Sequence, residues 1–247
     1  MKKDYLLKKV TAIFANFSKK GTVLDLGCGD GYYSNNLKNM GFDVTAADMD
    51  SRRFKFHDTI KFVKCELSDK LDFPDNKFDY VVLLEVVEHL RKPFSVINEV
   101  SRILKPNGRL IISTPNILNI GSRLRFLFEG ALDFFREPTL DFVKLNKDNV
   151  HNLHIVVWRY QELEYLLYEN SLNVENIYTD YLRRELYFPA FFLLPIAGLQ
   201  CFLKERRAER KGGVNYRRID KIIFSKELLF GRHLIIQARK EDLLCAA

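Results

Sequence analysis

The amino-acid sequence predicts an α/β fold, a doubly wound, seven-stranded and mostly parallel sheet with helical cap insertions. Short β-rich runs alternate with helical runs through the first half of the 247-residue chain, as strands joined by crossover helices do. The run FDYVVLLEV at 78–86 is apolar through most of its length, which is typical of a strand covered on both faces. With 47% hydrophobic residues, the chain can bury one sizeable core.

The individual elements follow from the hydrophobic periodicity along the chain. The predicted strands lie at 22–27, 43–48, 61–67, 78–86, 109–115, 173–182 and 232–240. The predicted helices lie within 1–20, where the spacing is amphipathic, and at 32–40, 94–104 and 158–172, and the run RLRFLFEG at 123–130 suggests a further helix. The alternation is interrupted after Pro115 and again after 182, which predicts two insertions.

Positive charge is concentrated in two parts of the chain, although the net charge is only +7. Residues 1–20 hold six lysines and one acid, and residues 204–221 hold eight lysines and arginines and three acids. A nucleic-acid enzyme more often carries its basic stripe around the catalytic face, so nucleic acid is a disfavoured partner. The basic segments fit either solvated helix faces or contact with an anionic membrane surface.

The cysteines and the N-terminus bear on location. Four scattered cysteines form no CxxC pair, and the lysine-rich start lacks the apolar core of a signal peptide. These features predict free thiols and a cytoplasmic protein, with peripheral attachment to a membrane as a further expectation.

The stretch VLDLGCGDG at 23–31 places glycines at three alternate positions directly after the first predicted strand. Glycines there let a ligand approach the backbone and its N–H groups. A nicotinamide-dinucleotide fingerprint, GxGxxG, would need its third glycine one residue later than Gly31. The carboxylate of Asp25 would repel a phosphate, so the turn favours a cationic or amino-bearing ligand.

A second acid, Asp48, ends the second predicted strand, near the ~20-residue spacing of an acid that binds ribose hydroxyls. Further motifs follow in order: VTAADMD, FVKCEL, FPDNKFDYVVLLEVVEHL and RILKPNGRLIISTPN. Over 23–115 the sequence therefore resembles the class I S-adenosylmethionine-dependent methyltransferases, and is similar to quinone-biosynthesis and cell-surface glycan methyltransferases. Glu66 and Asn107 depart from the family's usual Asp and Gly.

The resemblance implies a Rossmann-like methyltransferase fold and S-adenosylmethionine as cofactor. It implies that Asp48 binds the ribose and that Met49 and Leu67 flank the adenine. The cofactor-binding residues expected from it are Asp25, Gly27, Cys28, Gly29, Asp48, Met49, Glu66, Leu67 and Leu84.

Methyl transfer to a hydroxyl requires an aligned nucleophile and benefits from a base. His89 follows the fourth predicted strand, and an imidazole suits proton removal at physiological pH. His154 resembles a histidine found after the cap in relatives that methylate glycans or quinones, and His151 lies close to it. We predict His89 and His154 as catalytic residues; the alternative for each is a structural role in its loop.

The motif ExxEH, Glu85 to His89, has a second interpretation. Glu85, Glu88 and His89 could hold a divalent ion together with a downstream histidine. The motif resembles that of some quinone-biosynthesis O-methyltransferases and small-RNA 2′-O-methyltransferases. Because many relatives with these letters need no metal, our prediction assigns no metal ligand. His57 and His233 have no partner in the pattern and are predicted to be surface residues.

The run LYFPAFFLLPIAGLQCFL at 186–203 reaches the lower end of the length range for a membrane-spanning helix, roughly 18 residues. It contains two prolines and lies between two strands that should pair in one sheet. A single crossing would separate those strands, so we expect an interfacial element or an apolar lid over a lipid-binding pocket. The alternative is a helix buried against the domain or a second copy.

These observations together predict an S-adenosylmethionine-dependent O-methyltransferase acting on a small molecule, glycan or lipid-linked acceptor. The alternatives are a metal-dependent RNA 2′-O-methyltransferase, an NAD-dependent oxidoreductase and a non-catalytic cofactor-binding module. The predicted segments are an N-terminal helix at 1–20, a cofactor-binding core at 21–115, a cap at 116–157, a core helix and strand at 158–182, an apolar and basic insertion at 183–230, and a final strand and tail at 231–247.

Overall fold

A computed structural model describes residues 3–67, 70–135, 144, 154, 156–210 and 217–241. Its strands are β1 (Thr22–Leu26), β2 (Asp43–Asp48), β3 (Lys61–Lys64), β4 (Phe78–Leu84), β5 (Leu104–Pro115), β6 (Leu172–Tyr178) and β7 (His233–Lys240). Its helices are α1 (Lys3–Ala15), α2 (Tyr32–Asn39), α3 (Pro93–Ile103), α4 (Ile120–Glu129), α5 (Tyr160–Tyr168), α6 (Tyr187–Arg210), α7 (Arg217–Ile223) and α8 (Lys226–Phe230).

The seven strands form one sheet in the order β3-β2-β1-β4-β5-β7-β6. The pairs among β1 to β5 are parallel, and β7 runs antiparallel to both β5 and β6. This arrangement confirms the predicted fold class. β5 begins at Leu104, five residues before the predicted strand, because Leu104 already pairs with Phe78 ahead of a shift in register.

Helices cover both faces of the sheet, which explains the near-continuous apolar strands. Successive residues of β1 alternate between the two layers: Leu24 and Leu26 pack with α3 and α5, and Val23 packs with α1 and α2. The amphipathic helix predicted at the N-terminus is α1, and its buried side chains are Leu6, Val10, Ile13 and Phe14.

The two insertions meet in a third, smaller apolar cluster. Ile120 of α4 packs there with Leu186, Ala190 of α6 and Leu229 of α8. Most of the predicted cap after 135, including His151, lies outside the described residues.

Candidate active site

The strand order of the sheet reverses between β1 and β4. In doubly wound sheets, ligands bind outside the carboxyl ends of the strands at such a point. The glycine turn follows β1, Asp48 ends β2, and Glu85 to His89 follow β4. The fold therefore brings these predicted site residues to one edge of the sheet.

The glycine turn has a left-handed backbone at all three glycines, with φ of +79° at Gly27, +56° at Gly29 and +81° at Gly31. A Cβ atom at Gly27 would lie 2.5 Å from Cγ2 of Val86, so the turn packs against the segment after β4. Apart from its two neighbours in the chain, a Cβ atom at Gly29 would have no described atom within 4 Å. The backbone of Gly29 is therefore open to a ligand.

Asp48 joins the two loops that border this open space. Its Oδ2 accepts a hydrogen bond from the N–H of Gly29 at 2.8 Å, and its Oδ1 accepts one from the N–H of Asp50 at 3.0 Å. A carboxylate has about four lone-pair sites, so Asp48 keeps acceptor capacity for a ribose hydroxyl. The open glycine and this remaining capacity fit a nucleoside ligand.

Asp25 is 2% exposed and accepts a hydrogen bond from Oγ of Ser34 at 2.5 Å. Burial raises the pKa of its carboxyl to about 6, with the hydrogen bond from Ser34 opposing the rise. Asp25 thus links β1 to α2 beneath the glycine turn. Its burial makes it a support of the turn and places it away from direct solvent contact.

Replacing Asp25 with asparagine should change how stability depends on pH. In the unfolded chain an aspartate ionises near pH 4, and its pKa in the folded protein is about 6. As pH rises through this range the unfolded state loses its proton first, so ionisation destabilises the wild type and not Asp25→Asn. The difference in free energy of unfolding, variant minus wild type, should grow by up to about 3 kcal/mol between pH 4 and 7. Urea unfolding followed by circular dichroism measures it, and a difference that does not vary with pH would contradict the assignment.

The remaining residues predicted to bind the cofactor lie in different environments. Met49 is 48% exposed beyond β2, whereas Leu84 is buried and Leu67 packs against the main core. Glu66 is exposed. The Cys28 thiol is buried, and burial, with Asp25 and Asp48, raises its pKa well above the usual range. Cys28 is therefore a poor nucleophile and offers its backbone to the turn.

The two predicted catalytic histidines lie together. The ring centroids of His89 and His154 are 4.8 Å apart, and Nδ1 of His154 is 2.8 Å from the carbonyl oxygen of Phe134. His89 belongs to a short 3₁₀ turn, Val87–His89, directly after β4. Residues 65 positions apart in sequence thus form one imidazole pair at the carboxyl edge of the sheet.

Glu88 joins this pair. Its side chain is fully buried, and within the described part of the chain neither carboxylate oxygen has a well-aligned hydrogen-bond partner, although the hydroxyl of Thr114 is near enough to lower its pKa. Burial, reinforced by Glu85, raises its pKa well above the usual range. Ligand atoms of Glu88, His89 and His154 all lie within 4.8 Å of one another. An orphaned carboxylate beside two imidazoles fits a divalent cation.

Glu85, the first acid of ExxEH, points elsewhere. Its φ of +56° is unusual for a residue other than glycine and turns the chain sharply after β4. Its Oε1 accepts a hydrogen bond from Oγ of Ser113 at 2.7 Å, and its Oε2 lies 3.3 Å from Nε2 of His233. The two acids of the motif therefore enter different clusters.

The prediction that His233 is an unpartnered surface residue is wrong. Its side chain is 10% exposed and lies between Glu85 and Asp180, with Nδ1 2.7 Å from Oδ2 of Asp180. Burial lowers its pKa, but the two carboxylates outweigh that effect and raise it above the usual value. β7 runs antiparallel to its neighbours, so its first residue, His233, lies at this edge of the sheet. The direction of a strand within a sheet cannot be read from the sequence of that strand alone. His57 is exposed, as predicted.

A family profile described as a methyltransferase domain matches residues 2–174. The protein belongs to this methyltransferase family. S-adenosylmethionine is accordingly the cofactor of the methyltransferase, and the crevice built by Gly29 and Asp48 fits its nucleoside.

Solved structures share the fold of this methyltransferase. An S-adenosylmethionine-dependent methyltransferase from Archaeoglobus fulgidus is 19% identical, with a TM-score of 0.59 over 96% of this chain and 94% of that one. The 1,6-didemethyltoxoflavin-N1-methyltransferase of Burkholderia thailandensis, solved with S-adenosylhomocysteine, is 17% identical, with a TM-score of 0.54 over 96% of this chain and 78% of that one.

Curated relatives of the methyltransferase include enzymes named ubiquinone biosynthesis O-methyltransferase. The protein from Rickettsia akari is 29% identical over 58% of this chain and 60% of its own length. The mitochondrial protein of Arabidopsis thaliana is 34% identical over 38% of this chain and 32% of its own. The chain therefore spans less than two thirds of the length of these relatives.

Proposed function

We propose that the protein transfers a methyl group from S-adenosylmethionine to a hydroxyl oxygen of a small-molecule, glycan or lipid-linked acceptor. The observation that carries the proposal is the buried Glu88 carboxylate beside the His89–His154 pair, at the sheet edge that also holds the glycine turn. The relatives named O-methyltransferases support oxygen as the acceptor atom.

The roles of the residues follow from their positions. Gly29 would leave room for the nucleoside, and Asp48 would accept hydrogen bonds from its ribose while holding the turn. S-adenosylmethionine supplies a methyl group already activated by its sulfonium. His89 would take the proton from the acceptor hydroxyl, with His154 against its ring.

A divalent ion held by Glu88, His89 and His154 is the alternative to a metal-free base. Glu88 supports it, because its buried carboxyl has no well-aligned donor among the described residues and a cation would stabilise its charged form. Such an ion would lower the pKa of an acceptor hydroxyl, so that the hydroxyl would lose its proton without a strong histidine base. Because Glu85 points into another cluster, three protein ligands remain for such an ion: Glu88 and His89 of the motif, and His154.

Labelling with tritiated S-adenosylmethionine tests the class of acceptor. The full chain is incubated with an extract of its source cells, which is then separated into organic-soluble, glycan and RNA fractions. We expect label in an organic-soluble or glycan product that resists mild base, as an ether does. The variant Asp48→Ala is the control: any label that appears with it is background that this enzyme did not transfer. Label confined to RNA would instead support the 2′-O-methyltransferase alternative and overturn the proposal.

A further inference from the structure

Helix α6 carries an apolar surface that the other described residues do not cover. Within the described residues, one helical stretch, Arg184–Arg207, is long and apolar enough to cross a membrane by length and composition, and only 11% of its most apolar window is buried. Phe188 and Phe191 are 77% and 75% exposed. The other exposed apolar side chains of α6 are Tyr187, Phe192, Leu193, Ile196, Leu199, Phe202 and Leu203.

One narrow stripe of α6 holds it to the domain. Ala190 and Leu194, one turn apart, pack with Ile120 of α4 and Leu229 of α8. Helix α4, which packs in the same cluster, also has exposed apolar side chains near its end: Phe126, Leu127 and Phe128. Exposed apolar area on this scale is unusual for a soluble monomer and marks a surface of interaction.

Both ends of α6 are held to other parts of the folded domain. At its start Leu186 is buried in the cluster, and near its end Oε2 of Glu205 lies 3.7 Å from Nε of Arg217, where α7 begins. Seven peptide units join Arg210 to Arg217, and a chain of that length reaches at most about 25 Å. A bilayer has a hydrocarbon core of about 30 Å, so α6 cannot cross it and return to α7.

The charges beside the apolar face of α6 indicate which kind of partner would cover it. Arg206 and Arg207 are exposed in the last turns of α6, and the guanidinium of Arg206 lies 4.6 Å from the ring centroid of Phe202. Residues 204–221 together hold eight basic and three acidic residues. A helix with exposed aromatic side chains and a basic flank is typical of attachment in the plane of an anionic membrane. A second copy packed with its α6 parallel to this one would instead bring two such basic flanks together.

We propose that α6, with the exposed end of α4, is the surface by which the protein docks on an anionic lipid bilayer. The helix lies in the interface, its aromatic side chains enter the headgroup region and its arginines contact lipid phosphates. The methyltransferase crevice would then work beside a membrane and reach an amphiphilic acceptor; that last consequence rests on the proposed function. The docking itself does not.

Flotation of the full chain with vesicles tests the docking without any measurement of turnover. The probes are phosphatidylcholine vesicles with and without phosphatidylglycerol. We expect the wild type to float with the anionic vesicles and less with the neutral ones, and high salt to weaken the binding. The double variant Phe188→Glu/Phe191→Glu should bind at least about tenfold less, because it places charges on the helix face that would enter the membrane. Arg206→Gln/Arg207→Gln should lose much of the preference for anionic lipid.

The matched control is Tyr165→Glu/Tyr168→Glu, which changes two exposed aromatic residues of α5 in the same way. It should float as the wild type does, and binding of S-adenosylhomocysteine by all variants would show that they are folded. Equal flotation of the α6 variant and the wild type would overturn the proposal. So would a lipid-free dimer that fails to float and that Phe188→Glu/Phe191→Glu converts to monomers, because a second copy would then cover the helix.

Discussion

Replacing Asp48 with alanine is expected to weaken binding of S-adenosylhomocysteine by at least about 100-fold. The carboxylate now holds the N–H of Gly29 and is placed to accept from a ribose hydroxyl. A hydrogen bond to a charged group contributes about 1.5–3 kcal/mol, so the loss of bonds to the two ribose hydroxyls amounts to about 3 kcal/mol or more. Isothermal titration calorimetry with S-adenosylhomocysteine measures the change directly.

Asp50 supplies the matched control. It lies two residues away, and its side chain pairs with Arg52 on the exposed turn after β2, so Asp50→Ala should leave the affinity close to that of the wild type. Thermal unfolding of both variants separates loss of the ligand site from loss of the fold. An Asp48→Ala protein that binds within threefold of the wild type would remove Asp48 from the site. Tight binding of NADH by the wild type, without binding of S-adenosylhomocysteine, would favour the oxidoreductase alternative.

Replacing His89 with alanine should lower the rate of methyl transfer by about 10²- to 10⁴-fold, the usual contribution of a general base. His154→Ala should act in the same direction, because the two rings are in contact. Neither change touches the glycine turn, so the affinity for S-adenosylhomocysteine should stay near the wild-type value. Transfer of tritium to the labelled acceptor fraction measures the rate.

Chelation distinguishes the two chemical roles of this cluster. If His89 acts as a base, dialysis against EDTA should leave the rate unchanged. If Glu88, His89 and His154 hold an ion, the rate should fall on dialysis and return with added Mg²⁺ or Mn²⁺, and Glu88→Gln should abolish that recovery. His57→Ala is the control, since His57 is exposed and its ring packs on Phe54 and Phe62. Wild-type rates in both His89→Ala and His154→Ala would exclude a catalytic role for the pair.

The parts of the site that could be predicted from the sequence are those that a single loop contains. The glycines at 27, 29 and 31 follow a strand directly, and left-handed φ values at these positions are a local property of glycine. Asp48 could be placed because it ends the neighbouring parallel strand, so its position follows from the alternation of strands and helices. Both inferences needed only local pattern and one general rule about parallel sheets.

The carboxylates after β4 show where such reasoning stops. Glu85 and Glu88 stand three residues apart, and the motif suggests them as a pair of metal ligands, but the left-handed backbone at Glu85 sends its side chain toward Ser113 and His233. Glu88 instead turns inward beside His89. A non-glycine residue adopts that conformation only when its surroundings hold it there, and those surroundings come from β5 and β7.

By itself the sequence determined the doubly wound sheet, the open glycine turn with Asp48 beside it, and an apolar insertion between two paired strands. Each of these features depends on residues that are close together in the chain or separated by one strand and one helix. Only the tertiary structure decided that His233 is buried between Glu85 and Asp180, that His89 and His154 are neighbours, and that the described residues leave α6 uncovered. The physical reason is the same for all three: side chains far apart in sequence meet, or fail to meet, according to strand order and helix packing, which the chain adopts only when the whole core forms.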